Sequence, residues 1–472
     1  MRSTELRLLV QTSPRPSPER RGSFEMTAYT MQKFIIFGGN KLEGETTVSG
    51  AKNAALKVLV AACMTDEKVV IHNVPLITDI FIMIDIMKEV GAEVTLEGHT
   101  VIVRMKKFTQ SSIPLDKSAL VRASSLFIAP LLARMKEAKI PNPGGCRLGA
   151  RPIDRIVAGI GTMDVSITYQ SKDGYFHAKT DGLRATRYHF AKNTHTGTET
   201  MILAAVLADG TSVLENAAQE PEIDDLIELL NRMGGNVKRT AHREITVVGV
   251  KKLHGAEFSI SPDRIEVATF AIAAVITGGS ILVKDAHKAA IGPFLEKYKK
   301  TGAGYEILKD GIRFFATGTL KAVDVETGIH PGFLTDWQAP WAVMMTQARG
   351  SSTIHETVFE SKLGYVPDLQ KMGANAVLFN PKVENPEAVY NFNLEDDKEE
   401  HFHAVTITGI TPLHNAVMTT LDIRAGAAIV LAALIADGPS TIYGIERLDR
   451  GYEQFEKRLE KLGAKIERIK HD

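Results

Sequence analysis

One unit returns six times along this chain, and that return limits the folds open to it more than any single residue does. A polar head, an apolar helix, a Gly or Asp-Gly stop and a β-branched strand read in turn through AKNAALKVLVAACMTDEKVVIHNV, RASSLFIAPLLARMKEAKIPNPGG, GTETMILAAVLADGTSVLENA, DRIEVATFAIAAVITGGSILVKDA, TDWQAPWAVMMTQARGSSTIHETV and DIRAGAAIVLAALIADGPSTIYGI. A repeated unit of this size cannot bury its own apolar helix, so neighbouring copies must cover it. The helices within AAIVLAALIA and its counterparts are apolar nearly all round and are therefore expected inside.

The complementary half of each unit is an amphipathic helix that ends in glycine and leads into a strand. DIFIMIDIMKEVGAEVTL places Ile80, Ile84 and Met87 at helical spacing and Gly91 at the C-cap. RIVAGIGTMDVSI, EIDDLIELLNRMGGNVKRT, FLEKYKKTGAGYEIL, VPDLQKMGANAVLF and YEQFEKRLEKLGAKIERI repeat the pattern. These charged helices belong outside, against sheets. At 472 residues the chain exceeds one hydrophobic core. The expected architecture is α/β, six repeats grouped three and three into two similar domains with buried helices within.

Charge removes whole classes of function. The 56 Lys+Arg balance 56 Asp+Glu, so no global field draws nucleic acid or an acidic membrane surface. Any anion site must be local. The longest wholly apolar run, Ala427 to Ala436, falls short of the ~20 residues that span a bilayer and reads as a buried helix. Residues 1–31 carry arginines but no signal-peptide pattern. They are expected to be a disordered extension, with Met26 or Met31 as alternative starts. Two cysteines, Cys63 and Cys146, lie far apart and outside any C-x-x-C pattern, which points away from disulfides and zinc and toward a reducing cytoplasm.

Local anion sites have an obvious place to form. Each inner helix opens at a polar head: Lys52-Asn53, Arg122, Gly197-Thr198, Asp263-Arg264, Asp336 or Asp422-Arg424. Free N–H groups and the helix dipole favour an anion there. Asp, Asn and Thr at such positions also serve as plain caps. Lys52, Arg122 and Arg424 instead oppose the dipole and call for a negative neighbour. Cys63 sits within an apolar helix and reads as an inert small hydrophobe. Cys146 lies in PGGCRLGARPID between a Gly-Gly pair and Arg147, with Arg151 close by, where cations raise the thiolate fraction.

SGAKNAAL, RAS, PGGCRLGARPID, ENAAQEPEI, SPDRIE, TDWQ, HETVFE and DRGYE, in that order, resemble the UDP-N-acetylglucosamine 1-carboxyvinyltransferase family of the EPSP synthase superfamily, from about Lys33 to the C-terminus. The resemblance implies two inside-out α/β-barrel-like domains of three repeats each, with a cleft between them. The chain would start in one domain (32–51 plus 262–472), build the other (52–261, with the Cys146 loop as a lid), and return. It further implies transfer of the enolpyruvyl group of phosphoenolpyruvate to the 3′-hydroxyl of UDP-N-acetylglucosamine with release of phosphate, the first committed step of peptidoglycan synthesis. No cofactor, metal, nucleic acid or membrane is called for, and the chain would act as a monomer or weak homo-oligomer.

By the same resemblance Cys146 protonates carbon 3 of the enol, Asp336 takes the proton of the 3′-hydroxyl, and Lys52, Arg424 and Arg450 complete the catalytic set. Substrate contacts fall on Lys52, Asn53, Arg122, Arg151, Pro152, Ile153, Asp154, Arg155, Lys192, Thr194, His195, Asp336 and Val358; His195 also reads as a helix-entry residue. Two departures stand out. Lys362 occupies a position where many members have arginine, and a longer segment at 384–403 reads as a solvated surface hairpin in which His401 and His403 share a strand face. A sister enzyme acting on shikimate 3-phosphate shares the fold but uses no lid cysteine, and a catalytically silent nucleotide-sugar-binding paralogue is the third reading.

Overall fold

The computed structural model describes residues 32–142 and 153–470. Expectations for residues 1–31, and for Cys146, Arg151 and Pro152, lie outside them. The described chain divides into two compact units, one of residues 50–142 and 153–261, the other of residues 32–49 and 262–470. Each has its own hydrophobic core. One runs from Ala51 to Ile260 and the other joins Phe34–Val48 to Ile265–Ile466.

The repeats appear as six sheets among the described residues. In the first unit Glu93–Glu97, Thr100–Arg104 and Lys68–His72 form an antiparallel trio, and Glu257–Ser259 adds a parallel strand beside Lys68–His72. The same plan joins Asn236–Ala241, Glu244–Val248 and Thr211–Glu215 to parallel Arg187–His189. The trio Ser166–Gln170, Tyr175–Lys179 and Glu137–Pro141 has a single parallel bridge, Ser112 to Lys139.

In the second unit Gly304–Leu308, Gly311–Phe315 and Ser280–Lys284 take Glu43–Thr47 in parallel. Asn375–Phe379, Ala404–Gly409 and Ala348–His355 take Leu320–Lys321 and Val325–Glu326. The last sheet explains why this unit is discontinuous. Lys33–Phe37 sits between Pro439–Tyr443 and Lys465–Ile469, so the first described strand fills the middle place of the final repeat.

The inner helices are those read as apolar all round. Every residue from Arg264 to Val275 of Arg264–Ile276 is buried, as is every residue from Ile423 to Leu434 of Ile423–Ile435. Lys52–Ala61, Ile128–Met135, His195–Ala205 and Gln338–Thr346 complete the set. The outer helices bury one face. Pro221–Arg232 turns Ile223, Leu226, Leu229 and Leu230 inward and leaves Asp224 and Glu228 in solvent. Gly91 ends Thr78–Glu89 at φ +111, and a Cβ there would sit 2.8 Å from the Lys107 carbonyl oxygen, so glycine is required.

The 384–403 segment is not a hairpin. It makes a helical turn at Pro386–Val389 and a 3-10 turn at Leu394–Asp396. Tyr390 and Phe392 are buried, stack at 4.9 Å and pack against the buried His403 ring. The apolar faces of these two rings outweigh the charge of EDDKEE, and that is why the segment folds down. His401 and His403 precede the Ala404–Gly409 strand and clasp the two oxygens of Asp397 at 3.1 and 2.8 Å.

Candidate active site

Two clusters of charge stand out, one in each unit. In the first, Lys52 opens its helix behind Ala51, which has no side chain to cap it. Asp79, in the first turn of Thr78–Glu89, lies 2.8 Å from Lys52 Nζ, and both residues are buried. Buried pairs contribute little net stability because desolvation offsets attraction, so the pair points to a role beyond folding. Asn53 follows, partly exposed.

The same unit gathers further expected positions. Asp154 and Arg155 begin Asp154–Gly161 behind the buried Ile153, and Arg155 Nη1 donates to the Asn193 carbonyl at 3.0 Å, which holds this helix start against the segment of Lys192, Thr194 and His195. Asn193 in turn donates to the Asn216 carbonyl at 2.9 Å. Arg122 opens the 3-10 helix Arg122–Phe127 and is partly exposed. Thr194 caps the next helix by accepting from Gly197 N at 3.2 Å, so that helix starts at His195, earlier than the Gly197-Thr198 head expected from sequence.

His195 is both helix entry and part of a charge cluster. Its Nε2 lies 3.1 Å from Glu199, one turn on, and Glu199 also faces Lys57 at 3.4 Å with its side chain fully buried. Burial and Lys57 work against a charged imidazole, but Glu199 and Glu220 outweigh them and the His195 pKa is raised. A raised histidine pKa adds stability that is fully present below the unfolded value of about 6.5 and is lost as pH rises through the folded value. His195→Gln is therefore expected to lower the urea midpoint at about pH 6, with the gap to the parent narrowing as pH climbs past the folded pKa. A gap that widens with pH counts against the Glu199 pairing.

In the second unit Asp336 lies in the 3-10 turn Thr335–Trp337, ahead of Gln338–Thr346, and is not that helix's N-cap. Its partly exposed carboxylate stands 3.6 Å from Lys362 Nζ and 3.6 Å from Arg424 Nε, both on buried side chains. Arg424 follows Asp422, which caps Ile423–Ile435 by accepting from Arg424 N and Ala425 N at 2.7 and 3.0 Å. Burial opposes the Arg424 charge, yet Tyr452, Asp336 and Asp263 overcome it and raise its pKa. The guanidinium lies over the Tyr452 ring at 5.2 Å, and Tyr452 Oη meets Thr269 Oγ1 at 2.9 Å. Arg450 is partly exposed beside Asp449, whose carboxylate is engaged by Arg468 at 2.6 and 2.9 Å. Val358 N donates to Glu356 at 2.7 Å.

Asp263 caps its own helix, accepting from Ile265 N and Glu266 N at 2.7 and 3.3 Å. Asp79, Lys57, Glu199, Glu356 and Tyr452 join these clusters without having been singled out from sequence. Glu356 lay inside HETVFE and Tyr452 inside DRGYE, so the motifs marked both without separating them. Chemically, a partly exposed carboxylate fixed between two buried cations can accept a proton from a bound hydroxyl while its surroundings hold anionic groups. Among the described residues no helix is long and apolar enough to cross a membrane.

Residues 36–459 match the model of the family described as EPSP synthase (3-phosphoshikimate 1-carboxyvinyltransferase). A UDP-N-acetylglucosamine 1-carboxyvinyltransferase of Acidobacterium capsulatum is 39% identical over 444 residues, covering 93% of this chain and 96% of that protein. One of Koribacter versatilis is 40% identical over 445 residues, covering 93% and 97%. Among solved structures, the enolpyruvyl transferase NikO from Streptomyces tendae superposes with a TM-score of 0.81 at 22% identity, covering 94% of this chain and 100% of that one. EPSP synthase from Acinetobacter baumannii gives 0.70 at 18%, covering 93% and 100%. At those identities the two structures speak for the fold.

Proposed function

The chain belongs to the EPSP synthase family and, within it, to the UDP-N-acetylglucosamine 1-carboxyvinyltransferases, and from that membership we propose that it moves the enolpyruvyl group of phosphoenolpyruvate onto the 3′-hydroxyl of UDP-N-acetylglucosamine. The observation that carries the reading on the chain's own residues is Asp336, held between Lys362 and Arg424. This step would open peptidoglycan synthesis, in the cytoplasm, and so bear on cell shape and division.

Atoms balance in two stages. Carbon 3 of the enol gains a proton from Cys146, carbon 2 becomes electrophilic, and the sugar hydroxyl adds there as its proton passes to Asp336. The tetrahedral adduct then expels phosphate, which leaves with the proton held by Asp336, as carbon 3 returns a proton to the Cys146 thiolate and the double bond is restored. Lys52, Arg424 and Arg450, with Arg151 in PGGCRLGARPID, would offset the charge of the phosphate and carboxylate, Arg424 as a planar fork. Asn53, Arg122, Pro152, Ile153, Asp154, Arg155, Lys192, Thr194, His195 and Val358 would hold the two substrates. Lys52 belongs to one unit and Asp336 to the other.

Mixing the protein with phosphoenolpyruvate and either acceptor, and following phosphate, tests the reading. Release is expected with UDP-N-acetylglucosamine. The family model named for the shikimate enzyme makes shikimate 3-phosphate the informative control. Release with that acceptor alone overturns the assignment, and release with neither favours a silent paralogue.

The thiol role has its own readout. Cys63 is fully buried and desolvation pushes its pKa up to about 12, so at neutral pH it offers almost no thiolate. With 2 cysteines in the chain, Cys146 would be the thiol open to alkylation. Fosfomycin, an epoxide, is expected to alkylate Cys146 in intact protein, located by peptide mass spectrometry. Modification at Cys63, or at neither, would remove Cys146 from the mechanism.

A further inference from the structure

Glu356 follows the Ala348–His355 strand and is fully buried. Its two oxygens face two different pieces of chain. Oε2 accepts from Thr335 Oγ1 at 2.8 Å and from Gln338 Nε2, on either side of Asp336. Oε1 accepts from Val358 N at 2.7 Å and Phe359 N at 2.9 Å, in the loop that leads to Lys362. The backbone N of Glu356 is itself fixed, donating to the His403 carbonyl at 2.7 Å. A carboxylate buried this deeply is costly unless its lone pairs are satisfied, and here four donors satisfy them.

We propose that Glu356 is a positioning residue for the transfer reaction, its carboxylate locking the Asp336 turn to the Val358–Lys362 loop so that the base meets the acceptor hydroxyl in a productive geometry. The proposal rests on the enolpyruvyl-transfer reading above. A loop that needs only a local turn would be served by Val358 N and Phe359 N on one oxygen. The second oxygen is spent across a sequence gap of 21 residues on Thr335, the neighbour of Asp336. Desolvation pushes the Glu356 carboxyl upward, against the N–H and O–H donors and the charge of Lys362, and Lys362 is the cation that also flanks Asp336. One buried carboxylate thus registers both the base and one of its two cations.

The test uses full-length protein, phosphate release and two variants. Glu356→Gln keeps the shape but turns one oxygen into a donor, which opposes the donors on one side. It is expected to lower kcat about ten- to a hundredfold, the loss typical of an ångström-scale misplacement, with KM for phosphoenolpyruvate unchanged. Thr335→Val cuts the link on the Asp336 side alone and is expected to lower kcat while leaving both KM values unchanged. Combining them should add little to Glu356→Gln, because both break one connection.

Parental kcat with a lowered melting temperature in either variant, or losses that multiply in the double variant, would overturn the inference. If Glu356→Gln fails to fold, Thr335→Val decides alone. A parent protein that releases no phosphate with UDP-N-acetylglucosamine overturns the underlying function and this inference with it, whereas an active parent with insensitive variants overturns only the role of Glu356.

Discussion

Asp336→Asn is expected to slow phosphate release from phosphoenolpyruvate and UDP-N-acetylglucosamine by about 10²- to 10⁴-fold, the range a positioned general base supplies. The amide keeps the size and planarity of the carboxylate but has no basic oxygen for the 3′-hydroxyl proton. Lys362 and Arg424 remain 3.6 Å from the altered side chain, so the cationic surroundings of the substrate anions persist. Affinity for UDP-N-acetylglucosamine, measured by titration calorimetry, should therefore fall far less than kcat. That split identifies a group acting in the transition state rather than in binding. A variant that turns over at the parental rate would reduce Asp336 to a partner for two buried cations. The proton acceptor would then have to be sought elsewhere.

What the sequence made legible was whatever repeats locally. Apolar runs such as AAIVLAALIA signal all-round burial within a few turns of helix, and the Ile423–Ile435 helix is buried accordingly. Glycines after amphipathic stretches mark helix ends in the same local way, as Gly91 does. Charge partners are different in kind, because the sequence gives the charge but only tertiary structure gives its neighbour. Lys52 at a helix start calls for something negative, and within the described residues a carboxylate of the chain, Asp79, stands beside it at 2.8 Å. Lys57 and Glu199 lie in two apolar-looking helices, and nothing in either stretch announces that they face each other.

The 384–403 segment failed as a hairpin for a related reason. Its acidic run dominates the composition, while the two rings that decide its fold, Tyr390 and Phe392, find their third partner in His403. Long-range polar contacts also fix the chain where it passes from one unit to the other. Ser49 N and Ser261 N each donate at 3.0 Å to a carboxylate of their own unit, Glu266 and Asp225 respectively. Desolvation lifts the Asp225 pKa to about 6, against the two Ser261 hydrogen bonds. SGAKN and SPDRI are each pinned by a buried acid, Glu266 on an inner helix and Asp225 on an outer one.

The Glu266 site yields the largest expected change in stability. Its carboxylate, in the first turn of Arg264–Ile276 and 1% exposed, takes a two-pronged contact from Arg458, Nη1 and Nη2 each at 2.7 Å. Ser49 N adds a third donor at 3.0 Å. Arg458→Met removes the guanidinium but keeps an apolar stem over Phe270, whose ring centroid lies 5.0 Å from Arg458 Cζ, so packing is largely retained. What remains is a buried carboxylate with its cation gone, a state that costs about 3–5 kcal/mol. Both tryptophans of the chain, Trp337 and Trp341, lie in the core of this unit, so urea unfolding followed by their fluorescence reports on it directly. The midpoint is expected to drop by the equivalent of that cost, and Glu266→Gln added to Arg458→Met should recover part of it by removing the stranded charge. A midpoint that does not move would mean that Ser49 and the helix N-terminus suffice to hold Glu266, and that Arg458 serves only to cover Phe270.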